Sequence, residues 1–333
     1  MASRFRSIIQ VLGILIFGVL VGVSSLSAAD GLEWGGDSFS FTKDLSDDAV
    51  IRGFDLPCRS FQIWGDYYIG KGEIEPKGTP EPLSFDNSIN GAQLGINLGL
   101  GSGMLATAYY NYDKNKLSSN AVPGKRTPFT NDAQTHLGGF GLRYNTQGFF
   151  FSLLGTAGLD DYELLSRNGE TCLNYDGWQA GGSFETGYFM RTGGMFTLKP
   201  FGNLQYNYIK ADGIDYTAFR HKDDKFKADA LFQTLGARID AELALVTLQG
   251  RFGWVHQYLK SAPINNYQFS RTAGTFTPTQ SFFEGSTSSD YFWGGAGVKV
   301  SLLGTIAASF DYDVLLNCRH TTHLGSVGLL WNF

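Results

Sequence analysis

HLGSVGLLWNF, residues 323–333, ends the chain and decides its fold. Alternate side chains in this stretch are large and apolar, which is the period of a β-strand with one apolar face. The apolar face comprises Val327, Leu329, Trp331 and Phe333. The other face comprises Ser326, Gly328, Leu330 and Asn332. Because chain ends are usually frayed and polar, an apolar strand that reaches the carboxylate indicates that an apolar medium covers it.

The same alternation recurs along most of the chain, in segments of roughly ten residues that each end in a turn. A helix would give these residues no common stripe, and their many glycines would destabilise it. The connections between segments alternate short and long without a break. The predicted segments lie near residues 58–70, 88–100, 103–114, 133–145, 148–160, 175–191, 195–210, 229–242, 245–258, 284–301, 304–316 and 321–333.

The even number of segments and the alternating connections predict an all-β fold, a twelve-stranded antiparallel transmembrane β-barrel of the bacterial outer membrane. In a closed barrel the last strand pairs with the first. The apolar face of residues 327–333 would then meet lipid, with Phe333 in an aromatic girdle. A soluble β-sandwich or small-ligand barrel is the alternative. Aromatic residues near the strand ends favour the membrane barrel.

The N-terminus indicates export. Arg4 and Arg6 precede the apolar run SIIQVLGILIFGVLVGV, and small residues follow up to Ala29. This order predicts a signal peptide over residues 1–29, although the run is nearly long enough for a membrane anchor. We therefore expect three parts: the signal peptide, a short N-terminal segment over residues 30–57 that could plug the lumen or serve as a linker, and the barrel over residues 58–333. The predicted location is the outer membrane of a Gram-negative-type bacterium.

Composition limits the partners. The chain of 333 residues has a formal net charge of −5, which argues against nucleic acid as a partner. Tyrosine and phenylalanine are too frequent for a disordered chain. We expect outer-membrane lipid and the barrel assembly machinery as partners, the latter through the C-terminal strand. We also expect a monomer.

The cysteines, with two nearby histidines, are the candidates for a disulfide and for a metal site. Three cysteines suit one disulfide and one free thiol in an oxidising compartment. Cys172 and Cys318 fall in predicted connections at one rim and Cys58 falls at the other, so Cys172 and Cys318 are the predicted disulfide. CRHTTH places Cys318 near His320 and His323, but no fourth ligand is visible. We therefore predict no metal and no cofactor.

The acidic pairs Asp160–Asp161 and Asp223–Asp224 are candidate catalytic groups, and the second pair lies beside His221 in sequence. Solvated loop charge is the favoured interpretation of both pairs. His256 falls on the outward face beside Tyr258, where an interfacial role is favoured over a Ser–His pair. The sequence therefore predicts that the protein is not an enzyme.

Charged residues recur on the polar faces of the predicted strands, and they are expected to line the lumen. They are Glu185, Lys199, Arg238, Asp240, Glu242, Arg251, Lys299, Asp311 and Asp313. One interpretation is a selective water-filled lumen, and the other is ion pairs that brace the wall. Mixed signs argue against strong ion selectivity.

The order of the segments resembles the autotransporter β-domain, the translocator barrel of type V protein secretion, over about residues 60–333. The resemblance rests on FQIWGDYY at the first strand, INGAQLGINLGL at the second, PFGNLQYNYIKADGI in mid-barrel, LGARIDAEL with GRFGWVHQYL, and WGGAGVKVSL with ASFDYDV before GLLWNF. It implies a twelve-stranded barrel that escorts an N-terminal passenger domain, with a linker helix threading the pore.

Residues 30–57 are too short for a passenger domain of that kind. We therefore expect a solitary translocator-type barrel that acts as a narrow, porin-like pore or as a surface scaffold. Translocation of its own short N-terminal segment is the first alternative. A barrel enzyme of protease or lipase type is the second.

Overall fold

The structure is a computed structural model. It describes residues 60–74, 85–119, 130–146, 148–165, 171–192, 195–211, 215–216, 221–222, 226–261, 288–302, 305–317 and 320–333. The predicted signal peptide and the segment 30–57 lie outside these residues, so both remain predictions. The described residues include no helix long and apolar enough to cross a membrane.

Twelve long β-strands make up the wall of the barrel. They are β1 Phe61–Ile74, β2 Phe85–Gly101, β3 Met104–Ser119, β4 Thr130–Thr146, β5 Phe149–Leu165, β6 Thr171–Tyr188, β7 Phe196–Ala211, β8 Phe226–Leu243, β9 Val246–Ser261, β10 Ser288–Ser301, β11 Ile306–Leu316 and β12 His320–Asn332. The segment Met190–Thr192 continues β6 along β7. Asp215–Tyr216 and His221–Lys222 pair as a short hairpin between β7 and β8.

Each strand pairs antiparallel with its neighbours in chain order, and β12 pairs with β1 to close the ring. The prediction of a closed twelve-stranded antiparallel barrel is therefore confirmed. Most of the strands reach further towards the long connections than the sequence predicted, although β10 begins at Ser288 and not near residue 284. Thus β5 extends to Leu165 and β6 begins at Thr171, which places Cys172 in a strand and not in a connection. Cys318 lies outside the described residues, and the disulfide remains a prediction.

Phe333 takes part in the closing seam between β1 and β12. The Phe333 amide donates to the Phe61 carbonyl at 2.9 Å, and the two rings lie 5.7 Å apart. On the inner side, the side-chain Nε2 of Gln62 donates to Asn332 Oδ1 at 2.7 Å. Asn97 of β2 donates to Gln62 Oε1 at 2.6 Å. The terminal residues thus complete the hydrogen-bonded ring on both of its faces.

The outer face of the wall is apolar. Leu94, Phe140, Leu153 and Phe310 are each more than half exposed, as are Leu329 and Phe333 of the last strand. A soluble protein would bury side chains of this kind, whereas lipid covers them in a membrane barrel. The exposure pattern of β12 places its apolar face outward, as the sequence predicted.

On the inner face, aromatic side chains pack over glycines of neighbouring strands. A Cβ atom added to Gly95 would lie 2.3 Å from the Trp64 ring, and one added to Gly91 would lie 2.3 Å from Tyr68 Oη. Both aromatic side chains are almost fully buried. Glycine at these positions gives the rings the space to lie against the wall.

Candidate functional site

The interior of the barrel is lined mainly by polar side chains, and it is the candidate functional site. Polar residues there alternate with the outward apolar ones, because successive side chains of a strand point to opposite faces. Their side chains are almost completely buried. They include Gln62, Gln93, Asn97, Thr107, Asn111, Thr135, Gln179, Asn203, Gln205, Gln233, Gln257 and Thr322.

Arg251 of β9 is the centre of a charged group near the short turns. Its Nε donates to Asp313 Oδ1 at 2.6 Å, and its Nη2 donates to the other oxygen of that carboxylate. Its Nη1 donates to Asp311 Oδ1 at 3.3 Å. Trp293 Nε1 donates to Asp313 at 3.2 Å. Because Arg251 and the two aspartates lie two strands apart, these bonds span β10 along the inner wall.

Two more ion pairs lie at a similar height. Arg238 Nη1 donates to Glu185 Oε1 at 3.2 Å, and the Arg238 guanidinium lies 4.3 Å above the Phe201 ring. Lys199 Nζ donates to Asp240. Together with the Arg251 group they form the turn-side cluster, which comprises Glu185, Lys199, Arg238, Asp240, Arg251, Asp311 and Asp313.

The structure thus brings together seven of the nine residues that the sequence placed in the lumen, and all seven are buried. Lys299 is half-buried in β10, and Glu242 is exposed one residue before the end of β8. The turn-side cluster has three cationic and four anionic side chains, so neither sign dominates it.

Sequence analysis missed Arg143, Asp113 and Asp160, which are also buried on the inner face. Arg143 lies between the apolar Leu142 and the aromatic Tyr144 in β4. The period-two alternation of this strand could therefore have identified Arg143 as an inward-facing residue. Asp113 was harder to find because both neighbours in β3, Tyr112 and Lys114, are polar. Asp160 was interpreted as loop charge, but it lies inside β5, where Thr135 and Gln179 each donate to it at 2.7 Å.

Interior aromatic residues pack beside the turn-side cluster. Phe150, Phe201 and Trp293 form one buried group, and the Phe201 and Trp293 rings meet edge-on at 6.2 Å. The guanidinium of Arg143 lies 4.1 Å above the Phe150 ring. Contacts of an arginine with an aromatic face are favourable where water is excluded, so these rings hold their arginines against the wall.

Three histidines, His136, His256 and His323, lie on the outer face near the long connections. His136 and Tyr110 share a hydrogen bond of 2.5 Å, and His323 and Tyr312 share one of 2.6 Å. These pairs suit the membrane interface, where amphipathic aromatic side chains accumulate.

His256 binds Asp290 at 2.7 Å, and Trp254 Nε1 donates to the same carboxylate oxygen. No serine takes part in these contacts. The side chain of His221, and Asp223 and Asp224 entirely, lie outside the described part of the structure. Among the described residues, no group of three or more His, Cys, Asp or Glu side chains could hold a metal ion.

Three solved structures share this architecture. The translocator domain of autotransporter NalP from Neisseria meningitidis superimposes with a TM-score of 0.64 at 16% identity, over 89% of this chain and 98% of that one. The β-domain of the Bordetella autotransporter BrkA gives 0.58 at 15%, over 82% and 100%. The transport unit of AIDA-I from Escherichia coli gives 0.60 at 10%, over 91% and 100%. Among curated proteins no sequence matches.

A closed barrel with an apolar exterior and a polar interior defines an outer-membrane β-barrel. Residues 63–313 match the protein family "Autotransporter beta-domain". The chain belongs to this family, and the resemblance found in its strand motifs is confirmed. It is therefore a translocator-like barrel of the outer membrane.

Proposed function

We propose that the barrel forms a narrow polar pore through the outer membrane, and that residues 30–57 occupy its lumen in the resting protein. The observation that carries the proposal is the polar interior, which extends from Gln62 beside the short turns to Thr322 beside the long connections. An aqueous or polypeptide occupant needs such a lining, since an apolar one would leave its polar groups without partners.

The attachment point of the N-terminal segment supports the second half of the proposal. Ser60 lies at the start of β1, and its carbonyl accepts from the Gly99 amide at 3.0 Å, beside the short turn between β2 and β3. The segment 30–57 therefore joins the wall at the rim of the lumen. As a helix its 28 residues would extend about 40 Å, which exceeds the apolar band of about 25 Å that such a barrel spans.

Single-channel recording in a planar bilayer tests this function. The mature chain, residues 30–333, is compared with the same chain lacking residues 30–57. We expect little current from the first and steady current from the second. Because the interior carries both signs of charge, the current should discriminate weakly between cations and anions. Absence of current from both forms would refute the pore and favour a surface scaffold.

Translocation of the N-terminal segment is a second candidate, and membership of the autotransporter β-domain family favours it. In that case residues 30–57 would reach the cell exterior. Protease added to intact cells would then cleave the chain between Asp30 and Asp55, and the barrel would stay intact. Protection of the segment in intact cells, with cleavage only after lysis, would reject this candidate.

A further inference from the structure

Two interior carboxylates lie outside the pattern of the turn-side cluster. Asp113 of β3 and Asp160 of β5 are 2% and 1% exposed, and neither forms an ion pair with a lysine, arginine or histidine among the described residues. We call them the loop-side pair, because they lie further along their strands towards the long connections. A buried charge without a counter-charge is strongly unfavourable, so the loop-side pair must bind either protons or a cation from elsewhere.

The register of the sheet brings the two carboxylates together. Asp113 pairs with Thr135 in β4, and Thr135 pairs with Asp160 in β5. Neighbouring strands lie about 4.8 Å apart, so the two Cα atoms are separated by roughly 10 Å across β4. Side chains converge on the concave inner face of a barrel. The two carboxylates therefore approach each other above Thr135.

Free oxygen atoms surround this point. Asp113 Oδ1 and Asp160 Oδ2 are buried and accept no hydrogen bond from the residues that the structure describes. The Gln179 side chain is only 3% exposed, and its Nε2 donates to Asp160 Oδ1 at 2.7 Å. Its Oε1 is buried and has no donor within the described part of the chain. This Oε1 belongs to the same side-chain amide that donates to Asp160. Carboxylate, amide and hydroxyl oxygens are the ligands that hard cations such as Ca²⁺ prefer.

We propose that Asp113, Asp160, Thr135 and Gln179 form an interior site for a hard divalent cation, with calcium as the representative ion. The other contacts of the carboxylates orient them for this role. Asn111 Nδ2 donates to Asp113 Oδ2 at 2.9 Å. Tyr68 Oη in turn donates to Asn111 Oδ1 at 3.0 Å. Each carboxylate thus has one oxygen fixed by protein donors and one oxygen available to a metal. The site does not depend on whether the barrel conducts.

Thermal unfolding of the barrel purified from outer membranes tests the proposal. The protein is first treated with a chelator and then heated with and without millimolar CaCl₂. The folded barrel migrates on a gel as a compact band, and the temperature at which half of this band is lost gives the unfolding midpoint. Because the folded state alone would bind the ion, we expect calcium to raise the midpoint by several degrees. An identical midpoint in chelator and in calcium would overturn the proposal.

Substitutions separate this site from nonspecific binding. Asp113→Asn and Asp160→Asn preserve size and remove the charge, so each should abolish the calcium-dependent shift. Asp290→Asn is the matched control, because Asp290 is an exposed carboxylate on the outer face that contacts His256 and Trp254. This variant should keep the full shift. A calcium shift that persists in Asp113→Asn and Asp160→Asn would refute the assignment.

Terbium luminescence tests the unmodified protein independently of these variants. Tyr68 lies one hydrogen-bonded residue away from Asp113, so tyrosine excitation should sensitise Tb³⁺ bound at the site. We expect saturable emission from lipopolysaccharide-free protein that calcium displaces. Emission that is absent, or that calcium does not displace, would contradict the site.

Discussion

In the turn-side half of the interior, the carboxylates of Glu185, Asp240, Asp311 and Asp313 each face an arginine or a lysine. In the loop-side half, the carboxylates of Asp113 and Asp160 face amides and hydroxyls among the described residues. Arg251 neutralises Asp311 and Asp313 directly. Asp160 accepts from Thr135 and Gln179 instead. Among the described residues, the same wall thus holds one set of charges with counter-charges and one set without them. Our proposal that the loop-side half binds a cation rests on this difference.

Removal of Arg251 should have the largest effect. Arg251→Met would leave Asp311 and Asp313 buried without their shared cation. We expect a loss of about 3–5 kcal/mol in the free energy of unfolding, since breaking a buried ion pair leaves an uncompensated charge. Denaturant titration in phospholipid vesicles would measure it. The triple variant Arg251→Met, Asp311→Asn, Asp313→Asn should recover most of the loss, and no recovery would show that Arg251 acts through packing alone.

Replacing a glycine that lies beneath an aromatic ring should destabilise both halves of the barrel equally. Removing a buried charge should instead affect the two halves differently. Gly95→Ala would push a methyl group into the Trp64 ring in the turn-side half, and Gly91→Ala would push one into Tyr68 nearer the loops. We expect each to destabilise the barrel by about 1–3 kcal/mol, the usual range for overpacking.

Gly250→Ala is the control for these two variants, because nothing lies within 4 Å of a Cβ atom placed there. Its free energy of unfolding should stay close to that of the unmodified protein. A loss at Gly250 equal to that at Gly95 would mean that strand conformation, and not contact with the aromatic ring, sets the cost.

The smallest effect is expected on the outer face. Lys114 lies next to Asp113 in sequence but points outward, where its Nζ is 3.7 Å from Asp132 Oδ2 and its side chain is 41% exposed. Lys114→Gln should change the free energy of unfolding by less than about 1 kcal/mol, as for other exposed ion pairs. Added salt should reduce the difference further. A larger, salt-independent loss would show that charge on the two faces of β3 is coupled.

The period-two pattern was sufficient to predict the barrel, its twelve strands and its seam. Each strand has one apolar face that only lipid can cover, and this constraint acts on every second residue from Val327 to Phe333. Strand ends were predicted less well. Beyond the apolar band both faces become polar, as at Tyr112 and Lys114, and the alternation that marks a strand fades. Cys172 and Asp160 were assigned to connections for this reason.

The ionic partners could not be derived from the sequence. Period two places Arg251, Asp311 and Asp313 on the inner face, but which of them meet depends on the register between β9, β10 and β11. A shift of two residues would preserve every inward side chain and exchange the pairs. Asp113 and Asp160 are likewise related only through Thr135 of the strand between them.

One comparison tests the contrast between the two halves most directly: the free energy of unfolding of Asp113→Asn beside that of Asp313→Asn, both in the same chelating buffer. The chemical change is identical. Asp113 then loses an unpaired buried charge, so its variant should be more stable than the unmodified protein. Asp313 loses its bonds to Arg251 and Trp293, so its variant should be less stable. A change of the same sign in both variants would contradict the account.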